Sequence, residues 1–182
     1  MRYFIALDFT QPDREKFHSL ARTLKTHAKK ARIVEEAHVH LTLAFLGELD
    51  SGAVKKAEAI VKNTEEEPFT LEFDTVSYFD PGKSGRIFWI GPDQHPVLDR
   101  LHEKLTDALL NQGFSLDERP FTPHVTLARG VRISPESSSD FEDAFETFDV
   151  PARSISLMAS SFKEGKLIYT CVASRKLDAQ TP

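Results

Sequence analysis

The sequence predicts a mixed α and β fold made of two similar lobes, and three observations carry that expectation. Short apolar runs alternate with stretches of helical periodicity along the chain. Two of those runs recur in one register: His40-Leu41-Thr42-Leu43-Ala44 resembles His124-Val125-Thr126-Leu127-Ala128, and Arg2-Tyr3-Phe4 resembles Arg86-Ile87-Phe88, each pair 84 residues apart. The 182 residues suffice for one compact domain or two small lobes, but not for two full domains. Coincidence between such short pieces is the alternative to a true repeat. An amphipathic helix between the matched pieces in both copies favours the repeat.

The elements follow in order. Arg2–Phe9 is short, apolar and rich in aromatics, as a strand should be. Thr10 and Pro12 then suit an N-cap and a first helical turn, with Phe17, Leu20, Leu24 and Ala28 on one face and Lys25, Lys29 and Lys30 in the last turns. A second strand is expected over His40–Leu46, closed by Gly47. Asp50 or Ser51 then caps a helix with Val54, Ala57, Ile60 and Val61 inward. Glu65, Glu66 and Glu67 read as a solvated turn before a strand over Phe69–Phe79, and Asp80–Gly85 as a turn by composition. Arg86–Ile90 is a strand. Pro96 opens a helix with Val97, Leu98, Leu101, Leu105 and Leu109 inward, ended by Gly113. Phe121–Ala128 is a strand, Ser134–Asp140 a polar surface loop, and Phe141, Ala144, Phe145 and Phe148 one short amphipathic helix. Ile155–Met158 and Leu167–Val172 are the last two strands, joined around Lys163-Glu164-Gly165, and the polar tail from Asp178 is expected to fray.

Composition bounds the function. A net charge of -5 argues against a protein that coats nucleic acid through a broad basic surface, but not against one phosphate held by a few local cations. One cysteine, Cys171, excludes an internal disulfide and any multi-cysteine zinc site. No run approaches the length of a membrane span, and the N-terminal apolar run is too short for a signal peptide, so a cytoplasmic protein is expected.

The repeated His-x-Thr carries the chemistry. Residues two apart on a strand share a face, so each lobe presents an imidazole and a hydroxyl side by side, His40 with Thr42 and His124 with Thr126, while their leucine and valine neighbours point to the core. Two imidazoles flanking a phosphorus can run an in-line displacement without metal. One, neutral, takes a proton from the attacking oxygen; the other, as imidazolium, protonates the leaving oxygen. The threonine hydroxyls can hold the non-bridging oxygens. A single His-x-Thr would more often be structural; the pair, in register and with matched apolar flanks, is far more specific.

With these residues in hand, the chain resembles the 2H phosphoesterase superfamily, specifically the RNA 2′,3′-cyclic phosphodiesterase (2′-5′ RNA ligase) family. The resemblance covers nearly the whole chain: Met1–Leu7, the block His40–Glu48, the longer block Arg119–Arg129, and Ser161, Gly165 and Tyr169 in a terminal hairpin. It implies an α+β, bilobal pseudo-two-fold fold in which two mainly antiparallel sheets form a central cleft with helices on the outside. The whole of residues 1–182 then forms one domain of two lobes, each contributing one HxTx strand. The implied activity is hydrolysis of a ribose 2′,3′-cyclic phosphate on RNA ends or nucleotides to a 2′-phosphate, with no metal and no cofactor, and reversible 2′-5′ joining of pieces such as tRNA halves. A monomer is expected. By analogy His124 is the base and His40 the acid, although the symmetry of the motif permits the reverse. Arg129 joins Thr42 and Thr126 in binding phosphate; by strict alternation it would point away from His124, so the strand must twist or end near Ala128.

The chain departs from the family just upstream, where Ala37-His38-Val39-His40 stands and an Asn is usual. The resulting His-x-His puts both rings on one strand face at a spacing that can bind zinc, but no third acid or histidine ligand stands out, and His38 is better read as a rim residue. His18, His27, His95 and His102 are expected at the surface of helices. Tyr3, Phe45, Phe79, Trp89 and Phe121 could stack on a base, but fourteen Phe must mostly build core, and none is assigned. Two competing readings stand beside the phosphodiesterase: a non-catalytic binder of RNA ends using the same cleft, and a metal-dependent hydrolase using His38, His40 and His124.

Overall fold

The computed structural model describes residues 1–92 and 94–177, so the polar tail from Asp178 lies outside the described residues. Among the described residues nine strands form two antiparallel sheets. β1 (Arg2–Asp8), β3 (Leu41–Gly47), β8 (Ser154–Lys163) and β9 (Lys166–Lys176) make the first, in the order β3-β1-β8-β9. The second contains β2 (Lys30–Ile33), β4 (Phe69–Phe79), β5 (Arg86–Pro92), β6 (Val125–Arg132) and β7 (Phe148–Ala152), in the order β2-β6-β5-β4-β7.

Read outward from their histidine-bearing strands, β3-β1-β8-β9 and β6-β5-β4-β7 correspond strand for strand. The sheets are nonetheless interleaved. β4 follows the first half's helices but pairs with β5, and β8 follows the second half's but pairs with β1. Of the helices α1 (Gln11–His27), α2 (Ser51–Asn63), α3 (Pro96–Asn111) and α4 (Pro135–Asp143), α1 and α3 likewise cross to the opposite sheet, while α2 and α4 do not. α1 packs beneath the second sheet, where Phe17 meets Phe73 and Phe148, and α4 adds Phe141 against Phe88. α2 and α3 lie against each other and contact the first sheet. Each half is therefore locked to the other through a shared core of leucine, valine and phenylalanine side chains.

The caps explain the helix starts. Thr10, Asp50 and Ser134 each accept a backbone N–H three residues on. His95 does the same for α3 through its ring nitrogen, so it is a capping group rather than a free surface histidine. The Ser134 cap with Pro135 behind it begins α4 inside the stretch expected to be a loop, because Ser138 and Phe141 share a buried face. Phe148 consequently belongs not to that helix but to β7.

Two more expectations fail for tertiary reasons. Lys30 does not end α1; the chain leaves the helix after His27 and pairs Lys30–Ile33 with the edge of β6. Glu66 is not solvated: it is buried, with Lys104 at 2.8 Å and Arg100 at 3.7 Å tying it to α3. The terminal hairpin closes through Glu164 and Gly165, both at positive φ, as a two-residue turn between antiparallel strands requires. No helix among the described residues is long and apolar enough to cross a membrane.

Candidate active site

The two His-x-Thr segments enter their strands alike. His40 and His124 each stand immediately before the first residue of a strand, β3 and β6. In both, the Nδ1 atom lies 2.7 Å from the carbonyl oxygen two residues back, that of His38 and that of Thr122. A carbonyl only accepts, so each Nδ1 carries the hydrogen and each neutral ring keeps its Nε2 lone pair for the cleft. The expected strand over Phe121–Ala128 is thus displaced: residues 121–124 are irregular, and the strand runs on to Arg132.

Alternation then works as the sequence suggests for the threonines. Leu41 and Leu43 are buried with Thr42 between them on the cleft side, and Val125 and Leu127 flank Thr126 in the same way. A β-bulge follows in both strands. The pairing of β1 with β3 slips between Thr42 and Ala44, and that of β5 with β6 between Thr126 and Ala128. Leu43-Ala44 and Leu127-Ala128 are accordingly consecutive buried pairs. The bulge inverts the alternation, so the next residue turns to the cleft: Arg129 in one strand, Phe45 in the other. Arg129 reaches the histidines because one residue is inserted, not because the strand ends at Ala128.

All five residues singled out from the sequence, His40, Thr42, His124, Thr126 and Arg129, line one cleft of about 1070 Å³ between the sheets. Phe45, Arg32, His38, Ser161 and Tyr169 share its walls. His38 ends a short 3₁₀ turn (Glu36–His38), so it and His40 do not lie on one strand. Its carbonyl orients His40, and its ring packs on Tyr169 at 4.6 Å. Among the described residues the one group with spacing suited to a metal is Glu15, His18 and Glu36, away from the cleft lining.

Each imidazole is held by aromatic rings. Phe4 (4.8 Å) and Tyr169 (5.4 Å) flank His40; Phe79 (5.1 Å) and Trp89 (5.9 Å) flank His124. Phe121 turns away to stack flat on His102 at 3.9 Å, which makes His102 a packed rather than a free surface group. Burial pushes the His40 imidazolium down to a pKa of about 4, with the charges of His124, His38 and Arg129 adding to the effect against the His38 carbonyl. Burial and Arg129 lower His124 as well. In the free protein at neutral pH both rings are neutral, and His124 is the easier of the two to protonate.

Arg32 is a wall residue that no motif identifies, and Phe45, one of several aromatics that could stack on a base, proves to be another. Arg32 could have been found in the alternation of Lys30-Ala31-Arg32-Ile33, a basic and apolar strand pattern.

Comparison with known proteins supplies the context. The family model of the 2′-5′ RNA ligase superfamily matches residues 11–161. An RNA 2′,3′-cyclic phosphodiesterase of Thermotoga maritima is 33% identical over 153 residues, covering 83% of this chain and 79% of its own. The crystal structure of Escherichia coli LigT in apo form superposes with a TM-score of 0.79 at 28% identity over 98% of both chains. Its complex with 3′-AMP superposes with 0.78 at 27% over 97% of both.

Proposed function

The chain belongs to the 2′-5′ RNA ligase superfamily, and from that membership and the geometry of its cleft we propose that it hydrolyses 2′,3′-cyclic phosphates at RNA or nucleotide ends to 2′-phosphates. The observation that carries the reading is the matched pair of imidazoles, each with Nδ1 tied to a carbonyl and Nε2 left for substrate.

The cleft's electrostatics favour one division of labour. A singly protonated pair holds its proton on His124, since His40 is pushed to about 4. Assigning the acid to His40 would require the disfavoured arrangement, and each unit of pKa difference would cost a factor of about ten in correctly protonated enzyme. His40 therefore acts as base and His124 as acid, the reverse of the assignment by analogy. Water attacks phosphorus while His40 Nε2 takes its proton. The P–O3′ bond breaks as His124 delivers a proton to O3′, leaving the phosphate on O2′. The ring protons then re-equilibrate with solvent. Thr42 and Thr126 donate hydroxyl hydrogens to the non-bridging oxygens, and Arg129 balances the charge gathered there. A 5′-hydroxyl in place of water would join two RNA pieces, tRNA halves among them, through a 2′-5′ bond by the same steps. All five residues line one cleft of a single chain, which supports a monomer as the working unit.

The test is incubation with 2′,3′-cyclic nucleotides in the presence of EDTA, with the product read by phosphorus NMR. A 2′-phosphate is expected. A 3′-phosphate product, or activity abolished by chelation, overturns the reading. Tight binding of a 2′-phosphate without turnover would mark a binder instead.

A further inference from the structure

The cations around β2 and β6 are not scattered. Lys30 pairs with Arg132 and Arg32 with Arg129 across the ladder. A second bulge in β6, between Arg129 and Val131 with Gly130 at φ +63°, resets the alternation again. Val131 is buried, and Arg129 and Arg132 are both exposed on the face shared with Lys30 and Arg32. Gly130 leaves the surface between these side chains low, and the turn bearing Lys83 comes close behind it: Gly85 approaches the Gly130 backbone so nearly that a Cβ there would lie 2.9 Å from it.

Beyond Arg132 the strip opens into a second hollow of about 430 Å³, to which Lys29, Lys83 and Arg86 contribute. Asp80, 3.9 Å from Arg86, is the single carboxylate in its lining. Among the described residues Lys29, Lys30, Arg32, Lys83, Arg129 and Arg132 form no ion pair; some helical lysines such as Lys25 and Lys55 share that, but these six are gathered along one sheet edge, whereas Arg14, Lys16, Arg22, Lys62 and Lys104 are each paired with an acid. A chain of net charge -5 thus keeps an uncompensated basic track that starts at the reacting phosphate and leaves along one sheet edge.

We propose that this β2–β6 edge binds the phosphates of the single-stranded RNA leading to the cyclic terminus, so that the preferred substrate is an oligonucleotide rather than a mononucleotide. The inference rests on the phosphodiesterase reading for the position of the terminal phosphate. From Arg129 to Arg132 the strand covers about 10 Å, and the second hollow extends the path. Two backbone contacts are therefore accommodated, one at Lys30 and Arg132 and one at Lys29 and Lys83. The contacts are electrostatic and carry no base preference.

Each phosphate neutralised on a single strand steepens the salt dependence by about 0.7 in log–log slope, so two contacts give roughly a sevenfold fall between about 50 and about 200 mM salt. The experiment compares kcat/KM for a hexaribonucleotide ending in a 2′,3′-cyclic phosphate with that for a cyclic mononucleotide across this range. The hexamer is expected to be the better substrate at low salt and to show the extra sevenfold fall. The double variant Lys83→Glu with Arg132→Glu, both outside the reacting cleft, should abolish that difference and leave mononucleotide turnover within about twofold. Equal salt slopes for the two substrates overturn the proposal, as does a variant that affects both alike or neither. If no cyclic phosphate is hydrolysed at all, the activity reading has failed. The track is then judged by anisotropy of a labelled 3′-phosphorylated hexamer, whose binding must weaken in the same variant.

Discussion

The two halves of the cleft share a skeleton and differ in its dressing. Each brings a histidine tied through Nδ1 to a carbonyl two residues back, a threonine beside it, and a bulge one residue further on. The residue the bulge delivers is Phe45 in one half and Arg129 in the other. His40 is wrapped by Phe4 and Tyr169 and pushed to about 4, while His124 is less strongly affected beside Phe79 and Trp89. The second half also gains β2 on its open edge, and with it Lys30 and Arg32. In the proposed mechanism the duplicated geometry places two like groups around one phosphorus, and their unequal surroundings assign one as base and the other as acid.

The comparison breaks most visibly at the histidines. His40→Ala and His124→Ala should each lower kcat by about 10²–10⁴-fold, and a loss below tenfold in both would remove the two-imidazole mechanism. A substrate with sulfur at the 3′ bridging position separates them, because a thiolate leaves without a proton. It should restore much of the His124→Ala activity and little of the His40→Ala activity; the opposite pattern would return the acid to His40.

Next come the residues set equivalent by the bulges. Arg129→Gln should cost about 10²-fold in kcat/KM by removing charge at the phosphate. It should also move the alkaline limb of the pH profile upward, since its charge lowers His124. Phe45→Ala, lacking that charge, should cost less than tenfold. Equal losses would mean that position rather than charge matters there. Thr42→Val and Thr126→Val should each lose about tenfold or more, in kcat rather than KM if the hydroxyls serve the transition state.

The pH dependence of kcat/KM sharpens the division of roles. Below about 4 His40 gains a proton and cannot act as base; above the lowered pKa of His124 the acid is lost. The optimum for the free enzyme therefore lies between about 4 and the ordinary histidine value of 6.5. The kcat profile should be displaced to higher pH, because a bound phosphate anion raises both rings. An optimum of kcat/KM well above 6.5 would refute the protonation scheme.

The smallest effect is on stability. The folded pKa of His40 is depressed, so the unfolded chain takes up a proton that the folded chain refuses. Stability is full above 6.5 and declines as pH falls from there toward about 4. Urea midpoints followed over that window should fall less steeply for His40→Gln than for the native chain.

Strands, helices and the paired His-x-Thr were legible wherever local chemistry is decisive. Thr10 and Pro12 started α1, Gly47 closed β3, and the leucines of α3 marked its buried face. Glu66 and β2 depart from the sequence expectation because a buried ion pair and an edge pairing depend on partners distant in the chain, and α4 because its polar run gains a helix only by burying Ser138 and Phe141.

The sequence by itself determined the repeat, the two imidazoles and the hydroxyls beside them, because a period of two and matched flanks are properties of neighbouring residues. Only the tertiary structure decided that Arg129 faces the cleft with His40 and His124, that burial lowers both imidazoles, His40 to about 4, and that scattered lysines and arginines line one edge. Bulges, burial and strand neighbours arise from pairing across the sheet, where residues far apart in sequence set one another's direction and charge.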